Sequence, residues 1–530
     1  MSKKAIVLIV TVSTLVGLIL GNFLGNHASK SEEISLTGFK SKIDELLSLI
    51  DTHYVDSVNT TEMTEESIKD LVAKLDPHSV YIPASDLENV NSELEGSFSG
   101  IGVQFNIQND TVMIISVISG GPSEKVGLLA GDRIVSVNDT AFVGKKITNE
   151  KVMKKLRGPA KSKVKIGIHR AGTREKLYYS ITRGEIPVNS IDIAYMIEPT
   201  VGFIRINKFA ATTYTEYLNA IASLKNQGAK KFIIDLRENS GGFLDQAVNM
   251  INEFLPKGRM IVYSKGKTDK RNESISDGKG SCINMPIVVL IDEFSASASE
   301  IFSGAIQDND RGLIIGRRSF GKGLVQQQMN LHDGSAIRLT IARYYTPSGR
   351  CIQKPYTKGK TEEYEKDLLN RFKNGELDSK DSIHIKDTLK FKTFAGRTVY
   401  GGGGIMPDIF VPRDTSEFSL YLSKGINHGY LYQFAFQYTD KNRTTLKTFK
   451  TWQQMNAYLE TQNILEQYIS YADSKGVKPN KNEIARSKNL LYSQLKAYIC
   501  RNMLGDAGFY PMLYINDKTV KKALEQIRRK

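Results

Sequence analysis

The sequence predicts a multidomain α+β protein with an N-terminal helical segment, a β-rich domain, an α/β core and a helical C-terminal region. Three observations predict it. Across 96–183, short alternating apolar runs are separated by glycine-rich turns, as in a compact β domain. Across 184–412, continuous apolar runs alternate with amphipathic stretches, as in an α/β core. Beyond 413, Tyr, Leu and Lys recur at helical spacing. The expected boundaries are 1–28 for a targeting or anchoring segment, then 29–95, 96–183, 184–412 and 413–530.

In the N-terminal segment, Lys3 and Lys4 precede an uncharged apolar run over residues 5–24. A helix of that length crosses the ~30 Å of a bilayer core. The lysines favour the cytoplasmic side, so the rest of the chain is expected outside the cytoplasm. The expected location is the cell envelope, anchored in the cytoplasmic membrane with the body on the periplasmic side. A cleaved signal peptide competes with this reading. The run is long for a signal, however, and no Ala-x-Ala pattern follows it near Asn26. No cysteine follows the run, which argues against a lipid anchor.

Residues 35–91 read as helices on the spacing of Phe39, Ile43, Leu46, Leu47 and Ile50, broken at Pro77. The β domain has expected strands at 102–107, 112–117, 133–137, 164–169 and 176–181. In the core, strands are expected at 201–206, 231–236, 286–291, 313–316 and 336–344, with helices at 214–227, from 244, and at 299–308. The charged stretch 358–392 reads as an exposed excursion.

The formal charge is +15, but the basic residues are scattered, with no basic strip interleaved with aromatics. That pattern describes a solvated surface and no nucleic-acid partner. The most basic stretch, 441–530, is where an electrostatic role would sit. Three cysteines and seven histidines show neither CxxC nor HExxH spacing, so no metal or cofactor is expected.

Three segments carry chemistry. In the first, an apolar strand ending at Ile291 runs through small residues into a helix beyond Ser297. A new helix presents unpaired N–H groups that suit developing negative charge, so a serine there is a candidate nucleophile. Ser297 or Ser299 could equally be a plain helix cap. In the second, Lys322 lies between Gly321 and Gly323, where burial can lower its pKa and make it a base. In the third, the strand ending at Asp235 leads to Gly241-Gly242, a turn able to aim N–H groups at an oxyanion.

Together the stretches DLRENSGG, SASASEIFSGAIQDNDRGLIIG and SFGKGLVQ resemble the tail-specific, or C-terminal processing, peptidases, whose core is ClpP/crotonase-like. LDPHSVYI, RYYTPSGRCIQ and GGGGIMPD extend the resemblance across residues 35–412. It implies Ser297 as nucleophile, Lys322 as base 25 residues on, and Gln326 orienting the lysine. It also implies oxyanion donors at Ala298 and at Gly241 or Gly242. The β domain resembles a PDZ domain, in which Gly100, Ile101, Gly102 and Val103 form the loop that takes a C-terminal carboxylate. The implied partners are polypeptide substrates, with a homo-oligomer or an adaptor left open.

The alternative function is an inactive PDZ-bearing scaffold or adaptor of the envelope. A Ser-x-x-Lys acylase is a weaker rival, because Ser264/Lys267, Ser276/Lys279 and Ser493/Lys496 lack SDN and KTG partners. A Ser-His-Asp hydrolase would need His332, which reads as a hairpin turn.

Overall fold

The computed structural model describes residues 37–529 except 109, 119, 171, 269 and 384–388. The expected anchor at 5–24 lies outside these residues. Among the described residues no helix is long and apolar enough to cross a membrane. The chain divides into a unit ending at Leu71 and a larger unit from Val72. The first contains helix Thr37–His53 and most of helix Thr60–Ala73.

In the second unit, β1 (Val80–Ile82) and helix Ala84–Glu95 lead to β2 (Ser97–Gly100). The β domain then follows as β3 (Val103–Gln108), β4 (Thr111–Val117), β5 (Arg133–Val137), β6 (Thr140–Ala141), β7 (Lys163–His169) and β8 (Leu177–Thr182). Its sheet order is β3-β4-β5-β7-β8 with β6 on β5, so β3 is an edge strand. β2 pairs with β9 (Gly184–Pro187) and closes the module at its two ends. Alternation in β4 divides its side chains between the faces. Val112 and Ile114 enter the domain core. Met113 and Ile115 meet Tyr432 and Phe436 of the C-terminal helix Tyr430–Lys441.

The α/β core is a six-stranded sheet of β10 (Ile191–Glu198), β11 (Val201–Ile206), β12 (Lys231–Asp235), β15 (Ile287–Ile291), β16 (Leu313–Gly316) and β21 (Ile409–Phe410), in that order. From β11 onward neighbouring strands are parallel. Parallel strands need cover on both faces, which explains their unbroken apolar runs. Ile234 and Val289 face helices Thr213–Asn226, Leu244–Asn252 and Ala298–Asp308. Ile233, Val288 and Leu290 face Tyr514, Val520, Ala523 and Ile527. The second face of the core sheet is therefore covered by the chain's last helices.

A second sheet has the order β1-β18-β13-β14, with β17 on β18. It joins β13 (Met260–Gly266), β14 (Asn272–Ile275), β17 (Leu324–Asn330) and β18 (Ala336–Tyr345). The hairpin β19 (Lys390–Lys392) and β20 (Thr398–Tyr400) stands apart from it.

Most described residues of the stretch 358–392 are exposed, as expected, but part of it is anchored. It forms helix Thr361–Lys373, whose Tyr364 and Arg371 are buried. Arg371 donates to the carbonyls of Arg318 and Ser319, which ties this charged helix to the core. The three cysteines are unpaired.

One ion pair in the core is fully enclosed. Arg350 and Asp308 are both 0% exposed and 2.7 Å apart. Arg350 also donates to Gln307 and to the Tyr400 carbonyl. Removing one charge leaves the other stranded in a medium that solvates it poorly. Asp308→Asn is therefore expected to cost about 3–5 kcal/mol in urea unfolding; a cost below about 1 kcal/mol would contradict the pairing.

Candidate active site

Strand β15 ends at Ile291, and six residues separate it from helix Ala298–Asp308, with Ser297 at the helix N-cap. Ser297 has φ 55° and ψ −114°. A non-glycine residue holds such a conformation only when its surroundings impose it. Glu300 imposes it from within the same helix. Its carboxylate, fully buried, accepts the Ser297 N–H at 2.9 Å.

The same carboxylate reaches the second segment. It accepts the N–H of Lys322 at 2.8 Å, that of Gly321 at 2.8 Å, and the Ser319 hydroxyl. Burial raises the Glu300 pKa to about 7, and the four donors act against that rise. Tyr344 of β18 joins the two segments a second time. Its buried hydroxyl lies beside the carbonyl of Lys322 and 3.1 Å from that of Ser297. The backbones of Ser297 and Lys322 are thus held together through both their N–H and their C=O groups.

The Lys322 amine donates to Gln326 Oε1 at 2.8 Å. Gln326 Nε2 in turn donates to the carbonyl of His78, which fixes the amide so that its oxygen faces the lysine. The Lys322 pKa lies below the ordinary lysine value. Burial is the main cause, helped by the Arg338 cation, while Glu300 and Asp76 act in the opposite sense.

The turn after β12 forms the opposite wall. Gly241 packs so closely on Ser297 that an added Cβ would lie 2.7 Å from the serine Cβ and 3.0 Å from the Ala298 nitrogen. At Gly242 an added Cβ would lie 2.1 Å from the Phe209 carbonyl oxygen. Both positions therefore require glycine. The Gly241 N–H donates to Asn239 Oδ1 at 2.8 Å. The bridge to Phe209 uses the Gly241 carbonyl and the Phe243 N–H, so the Gly242 N–H points to the other edge of the segment. Ala298 is the first helical residue, whose N–H has no partner within its helix. Ser297, Lys322, Gln326, Gly241 and Gly242 all line one cavity of about 480 Å³, with Arg338 and Tyr344 also in its wall.

Several contributors escape a reading of motifs alone. Asp76 accepts the N–H groups of His78 and Ser79, and the Ser79 hydroxyl. It thereby shapes the loop whose His78 carbonyl orients Gln326. The His78 ring contacts the Tyr364 hydroxyl at 2.8 Å, and its pKa is lowered to about 4, chiefly by burial. The conspicuous Asp76-Pro77-His78 sequence was the available signal for this loop. Glu300 was visible within the serine segment but carried no assigned role there. His332 lies in the exposed β17–β18 turn. Ser264, Ser276 and Ser493 are not among the residues lining the cavity.

In the β domain, Gly100 ends β2, Ile101 is buried, Gly102 has φ 76° and Val103 opens the edge strand. The Ile101 and Gly102 carbonyls accept from Ser123 and Ile118. Each peptide plane holds its C=O and N–H in opposite directions, so the N–H groups of Gly102 and Val103 face away from those partners.

Family models match two of these domains. The description "Peptidase family S41" matches residues 200–363, and "PDZ domain" matches residues 99–180. A family of unknown function, DUF8443, matches residues 421–505. A "Probable CtpA-like serine protease" of Staphylococcus aureus (strain bovine RF122 / ET3-1) is 34% identical over 65% of this chain and 68% of that protein. A "Carboxy-terminal-processing protease" of Bartonella bacilliformis (strain ATCC 35685 / KC583 / Herrer 020/F12,63) is 35% identical over 59% of this chain and 72% of that protein. A solved photosystem II D1 C-terminal processing protease is 30% identical, with a TM-score of 0.33, over 58% of this chain and 82% of that one.

The electrostatics of the cavity predict the titration of Lys322. With its amine carrying ¹³C-methyl groups, NMR is expected to place its pKa below the ordinary 10.5, and Arg338→Gln is expected to move it up. An ordinary value in both proteins would contradict the stated causes.

Proposed function

The chain belongs to peptidase family S41 and is a serine-type peptidase with a PDZ domain, and from that premise we propose that it cleaves exported polypeptides near their C-termini, with Ser297 as nucleophile and Lys322 as base. The observation that carries the dyad is the lysine itself. It is a half-buried amine of lowered pKa, aimed by Gln326, in the cavity that Ser297 lines.

Neutral Lys322 takes the proton of the Ser297 hydroxyl as Oγ attacks the scissile carbonyl. The carbonyl oxygen becomes an oxyanion facing the Ala298 N–H, with a second donor from the Gly241-Gly242 turn. Because Asn239 already engages the Gly241 N–H, that second donor is the Gly242 N–H. Collapse of the intermediate breaks the C–N bond, and Lys322 returns the proton to the leaving amine. Water then hydrolyses the acyl-serine by the same route. Gln326 holds the amine in position throughout.

The PDZ domain presents substrate to this site. The Gly102 and Val103 N–H groups would take the terminal carboxylate, with the Gly100-Ile101 segment shaping the loop, while the open edge of β3 pairs with the extended peptide. The proposed setting is the cell envelope, with residues 5–24 as the membrane anchor.

Three expectations follow from this chemistry. Ser297→Ala is expected to lower kcat by up to ~10⁶ while the protein stays folded. Lys322→Arg is expected to be nearly as damaging as Lys322→Ala, because arginine keeps its proton. In the unsubstituted enzyme, activity is expected to rise with pH, since only the neutral amine accepts a proton. Full activity of purified Ser297→Ala, or of Lys322→Arg, would overturn the dyad. For the PDZ domain, amidating the C-terminus of an unfolded substrate is expected to slow its cleavage. Equal cleavage of the free and amidated forms would show that carboxylate capture does not select substrates.

A further inference from the structure

The turn from Asp235 to Gly242 is not self-supporting. Glu238 within it has φ 62°, another positive-φ residue that needs external restraint. Asp292 accepts the Glu238 N–H at 3.0 Å, and two arginines add to the restraint. Arg237 grips the fully buried Asp235 through Nε at 2.9 Å and a terminal nitrogen at 2.7 Å. Arg205 of β11 reaches Asp235 at 3.3 Å, Glu238 at 2.6 Å and Asp192 at 3.0 Å.

Each arginine is anchored in turn by the chain's last helices. Arg205 donates to the Tyr514 hydroxyl at 3.0 Å, and its guanidinium lies 5.5 Å from the Tyr510 ring. Arg237 donates to Asp517 at 2.7 Å and lies 5.4 Å from the Tyr514 ring. Among the described residues, the carboxylates paired with Arg237 are Asp235, two positions away, and Asp517. The anchor outside the turn is therefore Asp517. All these residues fall within the second unit, and Tyr510, Tyr514 and Asp517 lie beyond the segment matched to the peptidase family, residues 200–363, which contains both arginines.

We propose that Tyr514 and Asp517 are positioning residues for peptide-bond cleavage: through Arg205 and Arg237 they hold the turn that presents the Gly242 N–H to the reacting carbonyl. The inference rests on reading Ser297 as nucleophile and Gly242 as oxyanion donor. The helices that cover the second face of the core sheet thus also set the geometry of one wall of the cavity. An oxyanion donor displaced by a fraction of an ångström loses much of its stabilisation, because the benefit depends on a prearranged distance.

Asp517 allows a clean substitution. Its Oδ1 caps helix Lys518–Arg528 by accepting from Val520 at 2.8 Å, while Oδ2 binds Arg237. Asparagine is an equally good N-cap but lacks the charge. Asp517→Asn and Tyr514→Phe are prepared in the full chain and treated with an alkyl fluorophosphonate. The labelling rate, the final labelled fraction at Ser297, and kcat and KM on a short peptide are measured. The expected result for both variants is labelling and kcat slowed by about 10- to 100-fold, with KM within about twofold and an unchanged labelled fraction. An unchanged labelling rate in both variants overturns the inference. So does a reduced labelled fraction whose remaining molecules react at the normal rate, since that outcome is loss of fold alone. If the unsubstituted protein itself is not labelled at Ser297, the nucleophile reading falls, and this inference with it.

Discussion

The arrangement around the cavity depends on one buried carboxylate. Glu300 takes N–H groups from Ser297, Gly321 and Lys322, and a hydroxyl from Ser319. The segments 297–300 and 319–322 become one rigid piece because they share this acceptor. A buried carboxylate without partners would be costly, and four donors are close to the most that its two oxygens can accept. Glu300 thereby lets Ser297 keep a backbone conformation that an isolated serine would avoid. Tyr344 repeats the connection on the carbonyl side.

Around that piece, each further element fixes one side chain or one N–H group. The β1 loop supplies the His78 carbonyl that turns Gln326 toward the lysine. Gly241 of the β12 turn allows contact with Ser297 closer than any side chain would permit, and Gly242 does the same toward Phe209. The C-terminal helices complete the core sheet and pin the arginines behind that turn. The same helical region covers the outer face of the β domain through Tyr432 and Phe436. The region beyond 413, to which the sequence assigned no chemistry, therefore touches both the PDZ domain and the arginines behind the β12 turn.

What the sequence disclosed follows physical rules. Buried parallel strands must be apolar along their length, so β11, β12, β15 and β16 stood out, with β11 and β16 placed at their observed ends. The glycine and serine motifs stood out because close approach and tight turns admit few other residues. By contrast β17, Leu324–Asn330, reads LVQQQMN, and no apolar alternation marks it as a strand, although it carries Gln326. Helix Thr361–Lys373 has so many charges that it looked solvent-facing, yet Tyr364 and Arg371 point inward. Glu300 looked like an ordinary residue of a first helical turn, because its partners Gly321 and Lys322 become neighbours only in the fold. The pairing of Arg237 with Asp517 spans 280 positions and leaves no local pattern.

The most direct measurement of the central claim is the pH–rate profile for acylation of Glu300→Gln. Glutamine has the same shape, but one of its terminal atoms is a donor facing the Ser297 and Lys322 N–H groups. Loss of the carboxylate also removes a charge that raises the Lys322 pKa. The account predicts a plateau lowered about 10²-fold by misalignment and a rising limb shifted to lower pH. A plateau equal to that of the unsubstituted enzyme, with the limb unmoved, would show that Glu300 does not hold Ser297 and Lys322 in register.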